Sequence, residues 1–297
     1  MPGLKEVRIR IASVKSTQQI TNAMKMVAAS KLRKAQTAII KLRPYAAKLN
    51  EIMQNLSASI GDSGDSTFTQ QRNPEKVLLI VITSNRGLCG GFNSNIIKTT
   101  LNLLSTTYYE QQQRNNVTLM TIGRKATEYF RKRGYRVIES HDELFDNLTF
   151  ENISPLAERL MMAFTGKTYD CIQIVYNQFK NAAVQRLVIE QYLPILPLAP
   201  VAQASKKNTN HADYIFEPDQ QTIIQSLIPK SLRIQLYKSI LDSFASEQGA
   251  RMTAMHQATE NAKEILRSLK ISYNKARQYS ITKELLEIVA GAEALKG

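Results

Sequence analysis

Tryptophan is absent from this chain, and only two cysteines and three histidines occur in its 297 residues. Cys89 and Cys171 stand far apart, so no disulfide framework is available and a reducing compartment is expected. His141, His211 and His256 are isolated from one another and from both cysteines, which excludes the familiar metal-ligand spacings. Proline is missing from residues 230–290, and Gly249 is the one glycine there. Acidic residues are scarce at the start: Glu6 is the single acid among the first fifty residues. A secretory signal is lacking too, because MPGLKEVRIR has no apolar run and passes straight into a helical repeat. Neither a signal peptide nor an organelle presequence is expected, which points to a bacterial cytoplasmic location.

What is present organises the chain from its two ends. Free of helix breakers, residues 230–290 would form a helix roughly 90 Å long at about 1.5 Å per residue. Globular helices rarely run so far, which leaves a coiled coil, a membrane span or a helical repeat. Arg251, Lys263, Glu264, Arg267 and Lys270 exclude the membrane span. A heptad places Ala245, Met252, Thr259, Leu266 and Tyr273 at a, and Gln248, Met255, Ala262, Leu269 and Ala276 at d. That seam needs a partner helix, and the N-terminus supplies one. There, a takes Leu4, Ile11, Gln18, Lys25, Leu32, Ile39, Ala46 and Met53, while d takes Val7, Val14, Thr21, Ala28, Ala35, Leu42, Leu49 and Leu56. Its polar exceptions, Gln18, Thr21 and Lys25, sit together, either to set register or to meet a third body. The expected architecture is a long antiparallel coiled coil of N- and C-terminal helices with an α/β domain inserted between them.

Along the chain, Pro44 should bend the first helix without ending it, since the heptad keeps phase across it. GDSGDST begins a linker. VLLIVITS (77–84) is a continuous apolar run, as expected of a strand buried on both faces. A glycine-bearing turn follows, and Asn93 is placed to cap a helix reaching about residue 113. VTLMTIG (117–123) is a second strand, with a weaker one near Val137 and Ile138, and Ser154-Pro155 is read as a helix start. Residues 169–179 and 184–193 read as two further strands, and this alternation argues for a mostly parallel sheet. Glu217-Pro218-Asp219 would begin a short helix that Pro229 separates from the long one. The expected domains are 1–60, a linker 61–74, the α/β domain 75–200, a linker with a short helix 201–229, and 230–297.

The charge needs a partner. Residues 1–50 hold eleven Lys or Arg against Glu6, and the whole chain carries a formal +14. Nucleic acid, a membrane surface or an acidic protein could answer such a helix. Base-stacking aromatics are few, Tyr45 being the one on this helix, yet a basic coiled-coil arm gripping RNA stays an alternative. The other alternative is a nucleotide-binding α/β domain. Gly87, Gly90 and Gly91 follow a buried strand, but their spacing is GxxGG, and no Lys-Ser or Lys-Thr follows to make a P-loop. No acid after Ile122-Gly123-Arg124 is placed to hold a ribose, and no acid–base set shows in the pattern.

Four blocks carry a resemblance. SVKSTQQITNAMKMVAASKLRKAQ (13–36), RGLCGGFN (86–93), SEQGARMTAMHQATENA (246–262) and ITKELLEIVAGAEA (281–294) resemble, in order, the gamma subunits of rotary ATP synthases of the bacterial type. The resemblance implies a non-catalytic rotor shaft of a proton-translocating ATP synthase, coupling rotation of the membrane ring to ATP synthesis or hydrolysis in the catalytic alpha/beta hexamer. It implies a Rossmann-like α/β domain that is not a nucleotide site, and no cofactor. The implied partners are the alpha, beta and epsilon subunits and the membrane c-ring, with no nucleic acid. Membrane contact would be indirect, and the protein peripheral on the cytoplasmic face of the inner membrane. By matching position, Arg251, Gln278, Thr282 and Glu284 would face loops of the catalytic subunits. Lys31, Arg33 and Lys34 would face acidic loops of the beta subunits, and Cys89 would lie at the base of the shaft toward the catalytic ring. Tyr214 and Glu217, in YIFEPD, would lie near the polar loops of the membrane ring. The redox cysteine pair of chloroplast members has no counterpart here, which sets the chain outside thiol-switched forms.

The missing P-loop and the mismatched glycines generate one expectation. The isolated chain neither hydrolyses ATP nor binds it tightly, and calorimetry showing micromolar affinity would overturn this.

Overall fold

The computed structural model describes residues 4–60, 68, 70–182, 184–195 and 220–294, and their side chains except at 47, 50–60 and 220–225. The elements run α1 (Leu4–Ile60), β1 (Val77–Ile82), α2 (Phe92–Ser105), α3 (Tyr109–Gln113), β2 (Val117–Ile122), α4 (Arg124–Lys132), β3 (Val137–Ser140), α5 (Phe150–Thr165), β4 (Cys171–Phe179), β5 (Gln185–Leu193) and α6 (Gln220–Ala294). They form two compact units, residues 1–30 with 251–297, and residues 31–250. Both α1 and α6 contribute to each unit.

In the first unit, α1 and α6 pair antiparallel, as the repeats require. Arg8 donates to the Tyr273 hydroxyl at 3.1 Å, and the Thr21 and Thr259 hydroxyls meet at 2.8 Å in the buried seam. Each hydroxyl is also within reach of a carbonyl of its own helix, Thr259 of Met255 and Thr21 of Gln18, so one threonine donates across the seam and the other along its helix. These polar seam positions are therefore hydrogen-bonded, which is what makes their burial tolerable. Val7, Ala28, Met255 and Ala262 fill the apolar layers around them. Past Ser280, every described residue of α6 is exposed.

In the second unit, a five-stranded sheet has the order β3-β2-β1-β4-β5, the first four parallel and β5 antiparallel to β4. β1 and β2 are buried along their whole lengths, because helices cover both faces. Leu78, Ile80 and Ile82 of β1 point to one core, shared with Leu156, Leu160 and Phe164 of α5 and with Leu232, Leu236 and Ile240 of α6. Val77, Leu79 and Val81 point to the other, with Phe92 and Ile96 of α2 and Phe130 of α4. Alternation along a strand thus divides one apolar run between two layers.

Three local expectations need correction. α6 is one helix from Gln220 through Pro229, with no separate short helix. The proline costs a helix about 3 kcal/mol. Ile228, Leu232, Leu236 and Ile240 are all buried on its sheet side, and each contributes about 1.5–3 kcal/mol, so continuity prevails. α1 continues through Pro44, as expected, and the proline ring is exposed. α2 stops at Ser105, and a turn separates it from α3. α5 begins at Phe150, capped by Thr149, whose hydroxyl accepts from the Asn152 amide, so Pro155 lies inside it.

One buried group works against the fold. Asp242 of α6 is 3% exposed, and its Oδ1 has no hydrogen-bond partner among the described residues. Burial pushes its carboxyl from 3.8 up to about 6, against the pull of Lys238 and Arg43. Because the folded value is the higher one, its favourable contribution is complete below 3.8 and is lost as pH rises through about 6. An asparagine in its place cannot ionise, so Asp242→Asn should gain stability over the parent between those limits. The gain should level off above them at about 2–3 kcal/mol, taking about 1.4 kcal/mol per pH unit. Melting temperatures of both proteins across this range check it, and a difference independent of pH would contradict it.

Candidate interaction surfaces

The parallel part of the sheet has the 3-2-1-4 order of a dinucleotide-binding half, so the turns after β1 and β2 are where phosphate would bind. A phosphate there would need free amides at a helix N-terminus. In α4 those amides are already bonded within the chain. Arg124 N donates to Asn85 Oδ1 at 3.1 Å, Lys125 N to the Ser84 carbonyl at 3.1 Å, and Ala126 N to Thr83 Oγ1 at 3.0 Å. Gly123, at φ +109°, brings the β2–α4 turn so close that a Cβ would lie 2.2 Å from the Thr83 carbonyl oxygen. The turn is packed shut by its own neighbour strand.

The β1–α2 turn is closed in the same way. Asn93 does not cap α2; Gly91 holds the cap position without a side-chain bond. Instead Asn93 Oδ1 accepts from Ser84 N at 3.0 Å, and its Nδ2 donates to Ser84 Oγ at 2.8 Å and toward Cys89 Sγ at 3.2 Å. Ser84 Oγ in turn donates to the Arg86 carbonyl at 2.7 Å. This network draws Cys89 inward until it is 1% exposed, so its thiol faces the α2 core and not a surface. The expectation that Cys89 is an interface residue is corrected here. What the turn presents is Leu88, 65% exposed and held at φ +63°.

The end of α6 offers a different surface. Ile281, Leu285 and Ile288 recur at helical spacing and all are exposed, with Val289 beside them. They form an apolar stripe with no covering element among the described residues. Gln278, Thr282 and Glu284 are exposed on the same segment, and Thr282 Oγ1 donates to the Gln278 carbonyl at 2.9 Å. Arg251 differs from these three. It is 9% exposed and held within the chain, so its side chain has little surface to offer a partner. The expected interface role of Arg251 is corrected for that reason.

Lys31, Arg33 and Lys34 all lie exposed on α1, next to the buried seam residues Leu32 and Ala35. Tyr214 and Glu217 fall outside the described residues. Among the described residues no group of His, Cys, Asp and Glu could hold a metal ion, and no helix is long and apolar enough to cross a membrane. Two features escaped the sequence reading. Leu88 carries no signal beyond its neighbouring glycines, and the buried state of Asp242 shows only once α1, α6 and β4 are brought together.

Comparison with known proteins agrees with this geometry. Residues 3–295 match a family model described as ATP synthase. The chain is 54% identical over 297 residues to the ATP synthase gamma chain of Flavobacterium johnsoniae, covering 100% of both. It is 51% identical over 295 residues to that of Cytophaga hutchinsonii, covering 99% of each. Among solved structures, it resembles a chain of the Tetrahymena thermophila mitochondrial ATP synthase central stalk and c-ring. That match has a TM-score of 0.58 and 25% identity, over 80% of this chain and 99% of that one. A chain of the Euglena gracilis mitochondrial ATP synthase shares the fold at a TM-score of 0.64 and 21% identity, over 98% of this chain and 94% of that one.

Proposed function

This chain belongs to the ATP synthase gamma-chain family and is its non-catalytic central shaft, and from that premise we propose how its surfaces engage the rest of the complex. The observation that carries the reading is the end of α6, where a paired helix continues with no covering element among the described residues and an exposed apolar stripe. A contiguous exposed apolar stripe of this kind marks a surface that a partner covers. A sleeve formed by the alpha and beta subunits would do so, with Gln278, Thr282 and Glu284 meeting its loops. A bearing of this kind needs an apolar wall without fixed polar pairing, so that the helix can turn.

Lys31, Arg33 and Lys34 supply the positive charge that acidic loops of the beta subunits would follow. Tyr214 and Glu217 are proposed to meet the membrane c-ring, with the epsilon subunit as a further partner. The complex would be proton-translocating and would hold the chain at the cytoplasmic face of the membrane through its partners. For the α/β domain, 75–200, the proposed role is a scaffold. The bonded amides of α4 support this, and they count against the nucleotide-binding alternative. Family membership leaves the RNA-binding alternative without support.

Replacing Lys31, Arg33 and Lys34 together by glutamine should leave the melting temperature of the chain within about 2 °C, since exposed charges contribute little to stability. The same variant should weaken assembly or coupling with the catalytic subunits, measured as ATP-driven proton pumping in reconstituted vesicles. Pumping at the parental rate would remove these three residues from the interface.

Rotation is tested at Leu88, because the buried Cys89 cannot serve. A cysteine introduced as Leu88→Cys, with a second in the facing catalytic-subunit loop, should form a disulfide if their Cα atoms come within about 7 Å. ATP hydrolysis should then stop, and reductant should restore it. Full hydrolysis in verified cross-linked complex would refute rotation and leave a fixed stalk.

A further inference from the structure

The α/β domain carries its charge unevenly between the two ends of its parallel strands. We propose that the end formed by their amino termini rests on the anionic lipid headgroups of the membrane, adding a weak direct contact to the hold that the partner subunits supply. Its direction rests on the shaft reading, and its chemistry on the surface itself.

Each connection that enters a parallel strand brings a cation to this end. Lys76 precedes β1, Arg114 lies just before β2, Arg136 precedes β3, and Lys167 lies in the turn before β4, all of them exposed. Arg131, Lys132 and Arg133 close α4 at the same end, also exposed. None of these cations has a salt-bridge partner among the described residues. Neighbouring acids are already used: Glu128 pairs with Lys125 at 2.7 Å, Glu139 with Arg159 and His141, and Asp170 accepts from the Lys76 amide at 2.9 Å. Glu75 and Glu110 are the exposed acids here. A helix dipole accounts for basic residues in the last turn of α4, but not for Lys76 and Arg136, which lead into strands. The carboxyl end is balanced by contrast. There Arg124 pairs with Asp142 at 3.5 Å, and Glu143 and Asp146 are exposed together with Lys180.

The rings at the cationic end favour lipid over an acidic protein. Tyr109, at the start of α3, is 56% exposed. Tyr129 and Tyr135 are half-buried and pack edge-on against Phe130 at 5.3 and 5.4 Å, with the Arg133 guanidinium 3.8 Å over the Tyr129 ring. Tyrosines set among cations suit the headgroup level, where a ring meets apolar carbon and its hydroxyl meets water. Charges delivered by four separate connections suit a layer of mobile phosphates, each cation adding its own attraction. A shaft that turns also needs a contact that can slide, which a fluid layer allows.

Direction follows from α6. The Tyr192 hydroxyl donates to the Leu232 carbonyl at 3.2 Å beside the start of β4, and Ser246 Oγ donates to the Asn177 carbonyl at 2.9 Å near its end. α6 therefore enters the domain at the cationic end and leaves it at the other, and its apolar stripe comes later along the chain. On the shaft reading that stripe lies in the catalytic sleeve, so the cationic end faces the membrane.

Dyes on the full chain read the contact, since the native Cys89 and Cys171 are buried. A fluorophore at Gln113→Cys, on the cationic end, should be quenched by nitroxide-headgroup lipid in phosphatidylcholine vesicles with about a third phosphatidylglycerol. One at Ser94→Cys, on the carboxyl end, should not. Pure phosphatidylcholine vesicles should leave both bright, and salt at about 0.5 M should release the chain. Replacing Arg131, Lys132, Arg133 and Arg136 by glutamine should weaken partition about tenfold or more. That loss should exceed by about fivefold the loss from the same change at Lys31, Arg33, Lys34 and Lys41 of α1. Equal losses, or equal quenching of the two dyes, would overturn the proposal. So would quenching at Gln113→Cys on the free chain that vanishes in the assembled complex, because an acidic protein face would then cover this end. The Leu88→Cys cross-link reads rotation separately, so failure here and failure of the shaft reading stay distinguishable. If the glutamine variant does not fold, the two dyes on chains with every cation intact decide alone.

Discussion

A helix with an apolar seam needs another helix to cover it, and the rest of this structure follows from that constraint. α1 is 57 residues long and α6 is 75. Neither could hold its leucine, isoleucine and alanine positions against water unaided, so the two ends of the chain must meet. Antiparallel pairing brings Thr21 to Thr259 and Arg8 to Tyr273, residues more than two hundred positions apart in sequence. Everything between them is then an insertion that has to return the chain to its starting helix. An α/β layer does this well, since its parallel strands require crossovers and its termini can lie with α1 and α6.

The inserted sheet shows how a dinucleotide-binding topology can be made into a scaffold. The strand order would place a ligand at the turns after β1 and β2, yet both turns are filled by their own polar side chains. Asn85 and Thr83 bond the first amides of α4, and Asn93 ties Ser84 to α2. These bonds connect neighbouring strands to neighbouring helices, so what could have been a mobile binding loop is a rigid corner. Rigidity suits a central shaft, and the bonded amides of α4 are not free to hold a phosphate.

Polar groups in the paired helices have two different fates. The Thr21–Thr259 layer is fully bonded, each hydroxyl having a partner, and it marks one register without leaving an orphan. Asp242 is the contrasting case, a carboxylate buried with one oxygen unbonded among the described residues. The first arrangement is what a coiled coil uses to choose its alignment. The second is an uncompensated cost within the packed interior.

Much of this was legible in the sequence, and the reason is periodicity. Every a and d position described on α1, from Leu4 to Leu49, is buried or half-buried, and so are those from Ala245 to Ala276 on α6. A repeat of 3.5 residues forces one face inward whatever the partner, and the run from Val77 to Ile82 likewise had to lie between two layers. Tertiary structure decided the rest, because those outcomes turn on residues far apart in the chain. Pro229 stays inside α6 only because a sheet is there to bury Ile228 and Leu232 beside it. Asn93 has the spacing of a cap and acts as a tie, since its side chain bonds Ser84 and not the amides of α2. Cys89 and Arg251 hold positions expected at an interface, yet packing draws both inward. Spacing along a chain determines which face a side chain takes, whereas which donor meets which acceptor depends on distances that exist only after the layers have packed.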